Sequence, residues 1–200
     1  PCGLGPFAQA YDLGFAPAPG IAAYDPDQQE FTLRASAALG GAGDTGFLLW
    51  RRLRSGCLLQ ARTALPIGGA AGLVIRAGLE PLAPALAIVR QARGTTFIRV
   101  RRTAGAGIEE LHLADASADM LQLEQRGTEV AVSIARFGET FTHHLCRGIA
   151  FGPDALFGLF AAGGEARFHN VRLVRPAPAG FRPYRDFIGS ELEIIDASSG

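Results

Sequence analysis

A chain of 200 residues, 48% of them hydrophobic, has the material for one large β domain or two small ones around a sizeable core. Nineteen basic side chains balance nineteen acidic ones, so no net field recruits nucleic acid or an anionic membrane. The basic side chains are all arginine, which a GC-rich coding bias explains, since alanine and glycine are inflated as well. Cys2, Cys57 and Cys146 are odd in number and widely spaced, which argues against a disulfide framework. Cys57 and Cys146 lie in apolar runs, where free cysteine behaves as a small hydrophobe. Every apolar stretch is interrupted well before a membrane-spanning length, and no leader pattern opens the chain. These features favour the cytoplasm over the periplasm, and no cofactor is expected.

Residues 1–19, rich in Gly, Pro and Ala, read as an irregular N-terminal arm. Ile21–Tyr24 reads as a short strand closed by a turn at Asp25-Pro26-Asp27, and Glu30–Ala37 alternates as a half-buried strand. After a glycine loop, Phe47–Trp50 and Cys57–Leu65 form a strand pair around a basic turn over 51–56. Ala71–Ala77 and Ala85–Ala92 follow; Pro81 and Pro84 between them break any helix. Thr96–Arg102 is the clearest alternating strand, and Ile108–Leu113 alternates again. Met120–Gln125 and Glu129–Ala135 flank Arg126-Gly127-Thr128, a tight hairpin signal. Thr140–Cys146, Leu156–Ala162 and Ala166–Val174 complete the series. About a dozen strands at this spacing, without a convincing amphipathic helix, predict an all-β, two-sheet antiparallel sandwich, or jelly roll, over 20–175. Residues 176–200 read as a linker and a terminal strand at Leu192–Ile195.

The order of motifs resembles a known group across residues 20–196. Phe47 and Trp50 give an F-x-x-W strand, followed by AGLVIR (Ala71–Arg76), LQLEQRG (Leu121–Gly127) and ARFHNVRLV (Ala166–Val174). The pattern is similar to the concanavalin A-like jelly-roll domains that bacterial proteins place before TolB-like, PD40-repeat β-propellers. The resemblance implies a lectin- or glucanase-like sandwich, glycan binding or hydrolysis as the functional classes, and a propeller domain or a second copy as a partner. The end of the chain, from Tyr184, is similar to the start of a first propeller blade.

Several constellations have bland readings. Gly41–Gly46 spells G-x-G-x-x-G but lacks the helix and acidic residue of a dinucleotide site, so it reads as a loop between strands. Glycoside hydrolysis needs two carboxyl groups about 5–10 Å apart across the scissile bond. Glu109 and Glu110 are adjacent on a strand and face oppositely, while Glu191 and Glu193 share a face in the tail. His143 and His144 face oppositely too, so one metal cannot easily hold both. Asp25 and Asp27 are the best local pair for calcium, against a plain turn. Arg99, Arg101 and Arg102 read as a solvated outer face or a polar groove.

A sugar groove would pair an aromatic platform with planar hydrogen-bonding groups. The available set for a concave face is Trp50, Gln60, Arg62, Arg76 and Arg90. Strand parity puts Trp50 with Leu48 and Arg76 with Val74, away from a core filled by Phe47, Leu49, Leu73 and Ile75. Trp50 packed at the sheet edge is the competing reading. The expectation is a non-catalytic module binding carbohydrate (an oligosaccharide or glycan) or protein; the rivals are a glycoside hydrolase-like enzyme and a purely architectural domain.

Overall fold

The computed structural model describes residues 4–40, 44–54, 56–64, 66–113 and 117–175. The expected terminal strand, its Glu191 and Glu193, and the first three residues of the glycine loop lie outside them. The described residues form fourteen strands and no helix. They are β1 (Gln9–Leu13), β2 (Ile21–Asp25), β3 (Glu30–Ala35), β4 (Gly46–Arg54), β5 (Leu58–Thr63), β6 (Ala70–Arg76) and β7 (Ala85–Gln91). Then come β8 (Thr96–Arg101), β9 (Glu109–Leu113), β10 (Met120–Arg126), β11 (Glu129–Ala135), β12 (Thr142–Cys146), β13 (Asp154–Ala162) and β14 (Gly164–Val174).

Two antiparallel seven-stranded sheets result, β1-β4-β13-β6-β7-β8-β9 and β12-β11-β10-β5-β14-β3-β2. This is the expected jelly-roll sandwich. Alternation along each strand sends one set of side chains between the sheets, where Leu49, Leu73, Ile75, Ile88 and Ile98 of the first meet Leu33, Leu59, Leu121, Val132 and Phe168 of the second. Each such side chain contributes about 1.5–3 kcal/mol by leaving water. Tight turns set the hairpins: Gly127, between β10 and β11, takes φ of +58°, a conformation that glycine adopts without strain.

Two local readings change. The arm contains a strand, β1, which pairs with β4 from Gln9 opposite Trp50 to Leu13 opposite Gly46. Its low β-propensity is overridden by an available sheet edge. The supposed basic turn after Trp50 is the continuation of β4, since Arg51–Arg54 pair with Asp154–Phe157 of β13. Arg51, Arg52 and Arg54 are exposed there, while Leu53 packs into the core.

The middle of the first sheet is buried on both sides. All seven residues of β6 are buried, and a second apolar cluster of Leu13, Leu48, Trp50, Val74, Val89, Phe97, Leu156 and Phe160 lies on its outer face. Leu39, before β4, and Leu79, between β6 and β7, pack onto that cluster. The middle of this face is therefore filled by the protein's own side chains.

Candidate ligand site on the outer face of the first sheet

Register places the outward side chains in three parallel rows running across the strands. The central row is Trp50 on β4, Gly158 on β13, Val74 on β6, Ala87 on β7, Arg99 on β8 and Glu110 on β9. One flanking row holds Leu48, Phe160, Gly72, Val89 and Phe97. The other holds Leu156, Arg76, Ala85 and Arg101. Small side chains thus fill the central row between Trp50 and Arg99, whose strands are about 19 Å apart at the usual spacing.

The arginine row is locked from three directions. Asp44 Oδ2 accepts from Arg76 Nη1 and, at 3.0 Å, from Arg101 Nη1. Arg76 also donates to the carbonyls of Gly78 (3.0 Å) and Glu80 (2.7 Å), and Arg101 to those of Ala106 and Pro81 (both 3.1 Å). Both guanidiniums are almost completely buried, with 2% and 1% of their side-chain surface exposed. The cluster fastens the segment before β4, the β6–β7 connection and the β8–β9 connection over one end of the sheet.

Beside it lies a shallow depression of about 500 Å³, its open mouth included. Val74, Ala87, Val89, Phe160, Leu13 and Leu39 supply its apolar surface, and Asp44, Arg76, Arg99 and Arg101 its charges. Two buried donors on the central row, Trp50 Nε1 and Arg99 Nε, meet no acceptor among the described residues. Arg99 uses Nη1 to reach Glu110 Oε1 at 3.1 Å, toward solvent.

The five residues expected in one groove occupy three places. Trp50 and Arg76 share the outer face of the first sheet, although neither is an open platform: Trp50 is 7% exposed. Gln60 and Arg62 lie on the outer face of the second sheet. There Gln60 Nε2 donates to Gln122 Oε1 at 3.3 Å, and Arg62 pairs with Asp119 at 2.7 Å and stacks 4.8 Å over Phe137. Arg90 points between the sheets, in step with Leu86 and Ile88, and donates to the carbonyl of Thr63. Parity along single strands was legible, but which sheet each strand joins was not. Of the two readings of the β8 arginines, a solvated face or a polar groove, the solvated one is corrected for Arg101, which is buried against Asp44 and the carbonyls of Pro81 and Ala106.

Asp44, Arg99 and Arg101 were not singled out for the site. The alternation of β8 does place its two arginines on one face; Asp44 sits in a loop and carries no such signal. Elsewhere, Asp25 spends Oδ1 on the amides of Asp27 and Gln28, as a plain turn does. His143 Nδ1 lies 2.8 Å from Ser133 Oγ, while His144 faces the other way. Among the described residues no three His, Cys, Asp or Glu side chains gather as a metal would require. Arg102 holds the Glu109 carboxyl below the ordinary glutamate range through a hydrogen bond, and Arg34 and Arg167 do the same to Glu165.

The sandwich and its strand order define the fold, a jelly roll like those of the galectin-like and glucanase structures it superposes on. A functionally unknown protein from Saccharomyces cerevisiae superposes with a TM-score of 0.60 at 11% identity, over 84% of this chain and 97% of that one. A Bacillus subtilis protein of unknown function with a galectin-like fold gives 0.52 at 13% identity, over 83% and 89%. A β-1,3-1,4-glucanase (lichenase) from a mouse hindgut metagenome gives 0.50 at 10%, over 85% and 100%. No family model matches the chain, and no curated protein sequence matches it.

Proposed function

We propose that this chain is a non-catalytic glycan-binding module whose site is the depression on the outer face of the first sheet. One observation carries the reading: Arg99 lines the depression and keeps Nε as a buried donor that meets no acceptor among the described residues. A buried donor left unpaired costs about 1–3 kcal/mol, which a ligand hydroxyl or carboxylate would recover. Apolar surface with a few directed donors is the usual composition of such sites.

The carboxylates on this face favour binding over hydrolysis. Hydrolysis needs two carboxyl groups free to flank the scissile bond, whereas Asp44 and Glu110 are both ion-paired to arginine. A second reading, docking to a propeller domain or another copy, has its own observation in Phe15, 83% exposed in the β1–β2 connection, and Ile21, 58% exposed at the start of β2.

Titration with a panel of soluble oligosaccharides tests the proposal, read by tryptophan fluorescence and thermal stability. A ligand at a hundred times its Kd should raise Tm by about 5–10 °C in a domain of this size. Arg99→Met, which keeps the aliphatic stem and removes the donors, should weaken that ligand roughly tenfold. A panel without any response sinks the glycan reading, and self-association in light scattering would favour the docking one.

A further inference from the structure

We infer that this depression receives an acyl group, so that the ligand is an O-acylated saccharide whose ester carbonyl meets Arg99. The inference rests on the glycan reading and names its ligand class. Apolar side chains, Val74, Ala87, Val89, Ile108 and Phe160 among them, make up most of the lining. Its polar side chains are largely turned to one another or to backbone. Asp44 accepts from Arg76 and Arg101, both arginines donate to loop carbonyls, and Thr45 Oγ1 donates to the carbonyl of Ala38. Among the lining side chains, Arg99 Nε is the buried polar atom that meets no partner among the described residues. Glu110 already answers the charge of Arg99, so what Nε lacks is an acceptor and not a counter-ion.

That composition selects a chemistry. A pyranose ring carries hydroxyls on every side, and each one pressed against an apolar wall gives up water without a replacement partner. An ester-linked acyl chain brings apolar surface and one neutral acceptor, which is what the lining can answer. Order along the central row gives the pose. Val74 and Ala87 come first, Arg99 next, and Glu110, 39% exposed, last. A chain lying over Val74 and Ala87, with Val89 and Phe160 beside it, puts its carbonyl at Arg99 and the sugar toward Glu110 and water. Val74 and Arg99 stand two strands apart, roughly 10 Å, which is room for several methylenes and more than an acetyl group needs.

The test titrates sucrose and its monoacetate, monobutyrate and mono-octanoate, each below its micelle concentration, into the full chain by calorimetry. Affinity should rise with chain length, by up to about fourfold for each methylene buried. Sucrose octyl ether, which keeps the chain and lacks the carbonyl, should bind roughly tenfold more weakly than the octanoate ester. Arg99→Met should abolish that preference for ester over ether and leave the dependence on chain length in place. Both trends are read on the unaltered protein first, so a variant that fails to fold does not remove the test. Equal binding of sucrose and its esters would overturn the acyl group and leave the glycan site standing. Methyl octanoate binding as tightly as the sucrose ester would overturn the saccharide, and the glycan reading with it. Binding by none of these probes would overturn the acyl inference, whatever the oligosaccharide panel shows.

Discussion

Asp44 and Arg101 meet at 3.0 Å across 57 residues of sequence, joining the loop before β4 to the outer face of β8. Arg76 closes on the same carboxylate oxygen from β6. One carboxylate therefore sits between two buried guanidiniums, and that pairing is what holds three connections over the end of the first sheet.

Asp44→Ala removes the carboxylate that the buried Arg76 and Arg101 guanidiniums share. Breaking a buried pair in this way costs about 3–5 kcal/mol, equivalent to a Tm drop on the order of 10 °C. Replacing all three with apolar residues, Asp44→Leu with Arg76→Met and Arg101→Met, should cost much less, because no buried charge is stranded. Urea denaturation of the two variants checks the order; a triple variant no more stable than Asp44→Ala would contradict it.

Two glycines should respond very differently to one methyl group. At Gly127 an added Cβ meets nothing within 4 Å, so Gly127→Ala costs only the strain of its positive φ, about 1–2 kcal/mol. At Gly72 the Cβ would stand 1.8 Å from the carbonyl oxygen of Ile88, which forces β6 and β7 apart. Gly72→Ala should therefore cost about 3 kcal/mol or more. Equal melting temperatures for the two variants would contradict the close approach.

Glu165 joins β14 to β3 through Arg34 at 2.6 Å, and Arg167 approaches the same carboxyl at 3.2 Å. Both arginines lower its proton affinity in the folded state. A carboxyl with a lowered folded pKa adds stability at pH values above its unfolded pKa, and that stability disappears as pH falls through the folded pKa. Glu165→Gln should thus flatten the acid side of a thermal-stability profile taken from about pH 7 to about pH 3, and change the wild-type value most at neutral pH. Parallel acid limbs for the two proteins would remove Glu165 from that account.

Much of the fold is legible in residues alone. Period-two runs such as Thr96–Arg101 and Glu129–Ala135 announce their strands, because a half-buried sheet demands alternation. The same rule puts Trp50 beside Leu48 and Arg76 beside Val74. It cannot say that Arg90 faces inward while Arg76 faces outward, since the choice of face depends on which side of β6 and β7 meets the other sheet. β1 escapes the pattern because a neighbour at the sheet edge, and not its own composition, makes it a strand.

The sequence by itself determined a two-sheet antiparallel sandwich, the parity of its strands and a chain without net charge. Only the tertiary structure decided that Trp50 is buried, that Gln60 and Arg62 belong to the opposite sheet, and that Asp44 joins Arg76 and Arg101. The physical reason is range. Alternation is written in neighbouring residues, whereas these contacts come from sheet pairing and loop closure between positions dozens of residues apart.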